Sequence, residues 1–365
     1  MNEKSPKKRK YSLPLTVILT FFILAFLVRT IARFSTPFAD FYTRTVGAAF
    51  RFIMAKLTGW FPFSLAEILV CLVPVFFFLL ILFGILSIKK REHFRRFVAF
   101  TLAVPMVIYT LFVGTYAIGY HTTPLAERLS LPEVKIGKEE LTEVSAWAVE
   151  NAAALSESFT LAGDGTQMPY DWNRMTEKLN DAYRALSDRL PFLQSHTTVL
   201  KPILLSDPMT YTGIVGVYSF FTGESNVNTT YPDYSTVFTA AHEMAHQRGI
   251  APENEANFIA FLACIGSADD YLRYVGYMNL LDYLLSPLYN ADKDAYRATL
   301  SLYTSIMSAD VRAYAECYDA HRNETVHDIA TGMNDSYLQS QGTAGSVTYG
   351  LVVNLAVAYY YGEIK

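Results

Sequence analysis

Three stretches near the start of the chain are too long and too apolar for anything but a bilayer. Ser12 to Val28 carries no charge in 17 residues, Ile68 to Ile88 none in 21, and Phe97 to Tyr120 none in 24. A hydrocarbon core about 30 Å thick is crossed by ~20 apolar residues in helical conformation. A helix inside a water-soluble core is rarely apolar on every side for five turns. The prolines within these runs are tolerated in membrane helices. Spanning helices are therefore expected at 12–28, 68–88 and 97–120, making residues 1–120 a membrane domain.

The charges divide at the same place. Residues 1–119 hold 15 Lys/Arg against 4 Asp/Glu, whereas residues 120–365 hold 15 against 30. An acidic second half is repelled by phosphate, which excludes nucleic acid as its partner. The cations of the first half crowd into KSPKKRK at the N-terminus and KKREHFRR between Lys89 and Arg96. Short, cation-dense segments stay in the cytoplasm, so an odd number of spans sends residues 121–365 to the other side. No small-residue cleavage site follows the first span, which is expected to stay as an anchor. Between the first two spans, Tyr42, Val46, Phe50, Ile53 and Leu57 recur at helical spacing, with Arg44, Arg51 and Lys56 elsewhere on the wheel. That pattern suits an interfacial segment at 38–60, lying on the outer membrane surface or packed on the water-facing domain. Cys71, Cys264 and Cys317 show no CxxC spacing and are too few for a disulfide scaffold. Cys264 and Cys317 can meet outside the cell, although Cys264 sits in an apolar run and is expected to be simply buried.

Residues 121–365 show no internal repeat. Glu139 to Phe159 reads as an amphipathic helix. So does Asp171 to Leu190, where Met175, Leu179, Tyr183 and Leu186 share a face. Residues 163–169 form a loop. Thr197 to Leu205 and Ile214 to Phe221 are β-branched and aromatic, as strands are. From Tyr234 onward helices dominate, with breaks expected near Gly249, Ser267, Pro287 and between Gly332 and Gly345. Strands followed by a run of helices give an α+β, mostly helical domain.

The chemistry is concentrated in TVFTAAHEMAHQRGIAPENEANFIAFLA, Thr236 to Ala263. His242 and His246, four apart, project from one face of a helix and can occupy two corners of a Zn²⁺ tetrahedron. Glu243 is placed to act as general base on a metal-activated water. Asp233 or Ser235 can cap this helix, and Gly249 stops it. Chance supplies about 0.01 such HExxH motifs in a chain with this His and Glu content. The competing reading is a solvated surface helix, but the alanine-rich flanks are those of a buried one, where unpaired His and Glu are costly.

A catalytic zinc takes a third protein ligand and keeps one open position. Pro252 and the acids after it open a second helix, so Glu253 and Glu255 compete for the role. Glu253 is preferred because Asn257 lies one turn later on its face, where the amide can hydrogen-bond a ligand from behind. Glu255 has Ile259 at that place.

HExxH followed by a helix opening E-x-x-A-[DN] resembles the gluzincin class of zinc metallopeptidases. The resemblance implies a zincin-like metallopeptidase domain at 121–365, with His242, His246 and Glu253 as zinc ligands, Glu243 as base and Asn257 behind the ligands. Its substrates would be peptides or proteins. This chain has Asn257 where many members have Asp, and its two helices are unusually close in sequence. HExxHxxG also resembles the metzincin motif, but that class would need a histidine at Pro252. With the three spans, FTGESNVN, AHEMAHQRG and ENEANFIAFLAC resemble a family of bacterial multi-pass membrane proteins of unknown function with a zincin-like ectodomain. That likeness implies residence in the bacterial cell membrane.

Several residues carry weaker expectations. In zincins the strand before the metal helix commonly runs along the cleft and pairs with extended substrate; here that is the region of Gly213 to Thr230. Glu224, Asn226 and Asn228 can line such a cleft or form a polar turn. The resemblance suggests Tyr349 as a donor that polarises the substrate carbonyl, against a core role. His321 and His327, near Glu316 and Glu324, read as a solvated helix. Two other functions compete: a non-catalytic metal-binding sensor or scaffold, and a transporter. The transporter is disfavoured because the spans have no central charged residue.

Overall fold

The computed structural model describes residues 12–162, 165–343, 345 and 351–365. The cationic N-terminal tail, the tip of the 163–169 loop and Tyr349 lie outside the described residues.

The N-terminal part begins with α1 (Ser12–Phe34), α2 (Thr36–Tyr42), a π-helical turn (Thr43–Gly47) and α3 (Ala48–Thr58), followed by α4 (Leu65–Ser87) and α5 (Arg91–Thr115). Among the described residues, α1, α4 and α5 are long and apolar enough to cross a membrane. α4 has a mean hydropathy of 3.2 over its most apolar window, yet no residue of that window is covered by protein. Side chains of that kind need lipid around them. The helices differ from the uncharged runs at their ends. α1 continues through Arg29 and Arg33, and α5 starts at Arg91. The third run was expected to reach Tyr120, but α5 stops at Thr115 because Tyr116 (φ −139°) leaves helical geometry, and a 3₁₀ turn, Ala117–His121, follows.

The segment between the first two spans is inverted relative to a water-facing helix. Val46, Phe50, Ile53 and Leu57 are exposed, while Arg51 is 3% exposed. The Arg51 guanidinium donates to Gln194 Oε1 (2.9 Å), Thr43 O (2.8 Å) and Thr115 O (3.2 Å). Thr115 O belongs to the last turn of α5, where helix carbonyls have no partner within the helix. One buried cation thus ties the end of an apolar helix to the 43–51 segment and to the domain that follows. Removing such a charge-assisted set should destabilise the protein by about 3 kcal/mol or more. Arg51→Met is expected to lower the melting temperature of the detergent-solubilised protein by several degrees. An unchanged melting temperature would reject the clamp.

Residues 121–365 form α6 (Leu125–Arg128), α7 (Lys138–Ser156), the short pair β1 (Leu161–Ala162) and β2 (Gly165–Thr166), α8 (Trp172–Arg189), β3 (Leu200–Pro202), α9 (Ser206–Thr210), β4 (Gly216–Ser219) and β5 (Glu224–Val227). Then come α10 (Asp233–Gln247), α11 (Glu253–Ile265), α12 (Asp270–Ala291), α13 (Lys293–Ser301), α14 (Ser305–Ala320), α15 (Glu324–Ser340), α16 (Val352–Tyr359) and a closing π-helical turn, Tyr360–Ile364. The domain is mostly helical. One expected break does not occur. Pro287 lies inside α12, near enough to its end to forfeit little hydrogen bonding, with Leu284 and Leu288 buried on either side. The break expected between Gly332 and Gly345 falls after Ser340, where α15 ends.

The main core is built where α10, α11 and α12 pack on one another and α12 runs along α7. Met244, Phe258, Phe261, Leu272 and Met278 are fully enclosed there. A smaller apolar cluster joins Ala25, Ala32, Ala39, Phe112 and Tyr116 to Tyr218 and Ala251, so the two parts of the chain share packed surface across residue 120.

The three-stranded sheet has the order β3-β5-β4, with β3 parallel and β4 antiparallel to β5. Its central strand, ESNV, is polar yet buried throughout. Glu224 accepts from Leu65 N (3.2 Å) and Ala66 N (2.9 Å), capping α4. Ser225 Oγ donates to Glu243 O (2.9 Å), and Asn226 bonds Ser64 and Val217 O. Glu224, Asn226 and Asn228 therefore hold the sheet to its neighbours. They do not line the cleft described below.

Candidate metal centre

α10 starts directly after Pro232. Asp233 does not cap it through its own side chain; its carboxylate accepts from Met168 N at 2.8 Å. The helix ends at a left-handed Gly249 (φ +99°), with Ile250 N donating back to Ala245 O (3.2 Å). This is a glycine-terminated C-cap, and a side chain could not be added there: a Cβ on Gly249 would stand 2.5 Å from Arg51 Nη2. The turn reverses the chain into α11, whose first residue is Glu253. Two helices separated by so few residues thereby face each other at their ends.

The result is a convergent set of donors. Glu253 Oε2 lies 3.2 Å from His242 Nε2 and 3.4 Å from His246 Nε2. Donors bound 2.0–2.1 Å from a tetrahedral ion sit about 3.3 Å apart, so the spacing fits a metal. Among the described residues, these three form the one group of His, Cys, Asp or Glu with ligand atoms mutually within 4.8 Å. The imidazoles are held from behind. Asn257 Oδ1 is 2.7 Å from His242 Nδ1, and Ile250 O is 2.7 Å from His246 Nδ1. Both acceptors favour a proton on Nδ1, which leaves each Nε2 lone pair free for a cation. Tyr116, just past the end of α5, places its hydroxyl 2.9 Å from His246 Nδ1 and donates to Ala251 O (3.3 Å). Burial lifts that phenol well above its ordinary value, so it keeps its proton.

The electrostatics of the three groups suit a positive charge between them. Burial alone would depress His246, but the carboxylate of Glu253 overrides it and holds the imidazole at about 9. Burial would raise Glu253, and the two imidazoles instead pull it far below the usual carboxylate range. The contact favours a protonated His246 beside an ionised Glu253.

Glu255, the competing acid, points elsewhere. It accepts from Leu125 N (2.7 Å) and pairs with the buried Arg128 (3.0 Å). Glu243 is 4% exposed. Its Oε2 has no hydrogen-bond partner among the described residues, and burial raises its carboxyl. An unpartnered buried carboxylate oxygen is costly and is the kind of strain that functional sites retain. β4 passes so close that a Cβ on Gly216 would stand 2.7 Å from Glu243 Oε1.

These groups open onto a cleft of about 730 Å³. One face of α10 forms a wall with Thr239, His242, Glu243 and His246. The chain from Thr212 to Tyr218, including the edge strand β4, lines another side. α12 adds Asn279, Asp282 and Tyr283, and α15 adds a stripe from His327 to Tyr337. Sequence patterns did not point to Tyr116, Asp282, Tyr283 or His327. His327, read as solvated, lies in the cleft and abuts Gly213. His321 is instead tied to Asp207 (3.0 Å) and Cys317 O (2.8 Å). Cys264 and Cys317 are free thiols.

No curated protein and no solved structure matches the chain. One family model does, over residues 42–357, and by that match the chain belongs to the family described as protein of unknown function (DUF3810).

Proposed function

We propose that this protein is a membrane-anchored zinc metallopeptidase with a zincin-like, gluzincin-type site. The observation that carries the proposal is Glu253 Oε2 within 3.2 and 3.4 Å of the two histidine Nε2 atoms, beside the unpartnered oxygen of Glu243 at the cleft. His242, His246 and Glu253 would hold the metal and leave one tetrahedral position for reactants. Bound zinc supplies Lewis acidity to a peptide carbonyl and brings the pKa of a water to about 7. Glu243 takes the proton of the attacking water and passes it to the leaving amine. Asn257 and Ile250 O fix the two rings, with Tyr116 beside His246. β4, with one edge free of its sheet, offers backbone groups to an extended peptide.

The cation-rich termini of the spans support an N-terminus in the cytoplasm and a site on the opposite side, next to the bilayer of a bacterial cell membrane. A non-catalytic scaffold would draw on the tie from Tyr116 to His246 and Ala251 O, at the helix ends that carry the candidate ligands. It gives no reason, however, for a buried Glu243 whose Oε2 has no partner among the described residues.

The test uses the full chain in detergent, since Arg51 and Tyr116 belong to the site's support. About one zinc per chain and peptide cleavage that a chelator abolishes and zinc restores are expected. Metal-free protein at neutral pH, or cleavage indifferent to chelation, would reject the proposal.

A further inference from the structure

The cleft contains one acid for which the peptidase chemistry has no use. α12 turns Asn279, Asp282 and Tyr283 towards it, at the spacing of a single helix face. Asp282 is not among the groups that converge on the metal position. Its carboxylate has neither a hydrogen bond nor an ion pair among the described residues. Two phenols, Tyr283 and Tyr314, line the same cleft, as do the groups that converge on the metal position.

Asp282 is exposed to the cleft, so water solvates it there, but no counter-charge stands against it among the described residues. A ligand bringing an ammonium group would provide the missing charge, and the phenol faces would add cation–π attraction. A neutral or acidic ligand would leave the carboxylate unpaired or repelled.

We propose that Asp282 is a specificity residue that selects peptides carrying an ammonium group close to the scissile bond. This rests on the peptidase reading for its substrate class, but its test does not depend on turnover. The ammonium can belong to a free amino terminus or to a lysine-type side chain, and the experiment separates the two.

Full-length protein carrying Glu243→Gln, loaded with zinc, is titrated with a neutral nonapeptide in which lysine or norleucine is scanned through each position. Every peptide is made with a free and an acetylated amino terminus. Binding is read by fluorescence anisotropy. At least about a tenfold preference for the ammonium peptide over its neutral isostere is expected, and adding Asp282→Asn should bring that ratio close to one. Loss of the preference on acetylation assigns the terminus; its dependence on lysine position assigns the side chain. No preference, or a preference that survives Asp282→Asn, overturns the inference. Wild-type protein is digested with the same peptides in parallel. Cleavage without cation preference overturns this inference alone. Asp282-dependent binding without any cleavage overturns the peptidase reading alone. Neither binding nor cleavage overturns both.

Discussion

Glu253→Ala is expected to strip zinc from the protein, while Glu255→Ala keeps zinc and loses stability. The two acids are neighbours on the first turn of α11, and their surroundings set them apart. Glu253 Oε2 is within 3.4 Å of both imidazole Nε2 atoms, so its removal deletes one of the three proposed ligands. Removing even a group behind a ligand typically weakens metal affinity 10–100-fold, and loss of the ligand itself should exceed about a hundredfold. Glu255 instead neutralises Arg128, whose guanidinium also lies over the Phe192 ring at 4.8 Å. Breaking that buried pair should destabilise the fold by about 3 kcal/mol. Zinc content by mass spectrometry, read beside thermal unfolding, separates the outcomes. Zinc lost from Glu255→Ala and kept by Glu253→Ala would reverse the assignment. The pH dependence follows from the same contact. Because Glu253 lifts His246 to about 9 against the effect of burial, zinc binding is expected to displace a proton at neutral pH. Affinity should therefore rise as pH increases towards about 9 and level off above it.

Local periodicity made much of this molecule legible. The apolar runs match three helices long and apolar enough to cross a membrane, because length and charge are what that reading uses. The pair His242 and His246 was visible because a helix converts a spacing of four into a shared face. What periodicity cannot carry is a partner far away in sequence. Glu253 and Glu255 were separable only through Arg128, more than a hundred residues earlier. Arg51 looked like the polar side of an interfacial helix, and its burial depends on Gln194 and Thr115 O. The string ESNV reads as a cleft lining or a polar turn, yet it is the central strand of the sheet. Its polar side chains find partners on α4 and α10, and hydropathy registers only the polarity. Tyr116 was hidden at the end of an apolar run because its hydroxyl matters only once α5 has stopped at Thr115. Asp282 and His327 stand on helices whose pattern was called correctly as helical, but helix–helix packing decides which of their faces borders a cleft.

The largest effect on activity is expected from Glu243→Gln. The amide has nearly the shape of the carboxylate, so it fits the space beneath Gly216, where a single added Cβ would already stand 2.7 Å from Oε1. The histidines, Glu253 and Asn257 are untouched, and zinc should remain at about one per chain. A neutral amide, however, cannot accept the proton of an attacking water, and general-base assistance is worth about 10²–10⁴ in rate. The expected result is a fall of that size in kcat with KM little changed, because peptide binding along β4 and in the cleft does not call on the proton acceptor. A loss of zinc would mean that Glu243 also supports the ligands. Turnover equal to wild type would remove the base from the mechanism and, with it, the only use the site makes of a buried oxygen without a partner. His242, His246 and Glu253 would then describe a cation that joins α10 to α11 beside the end of α5, which is the geometry of a brace.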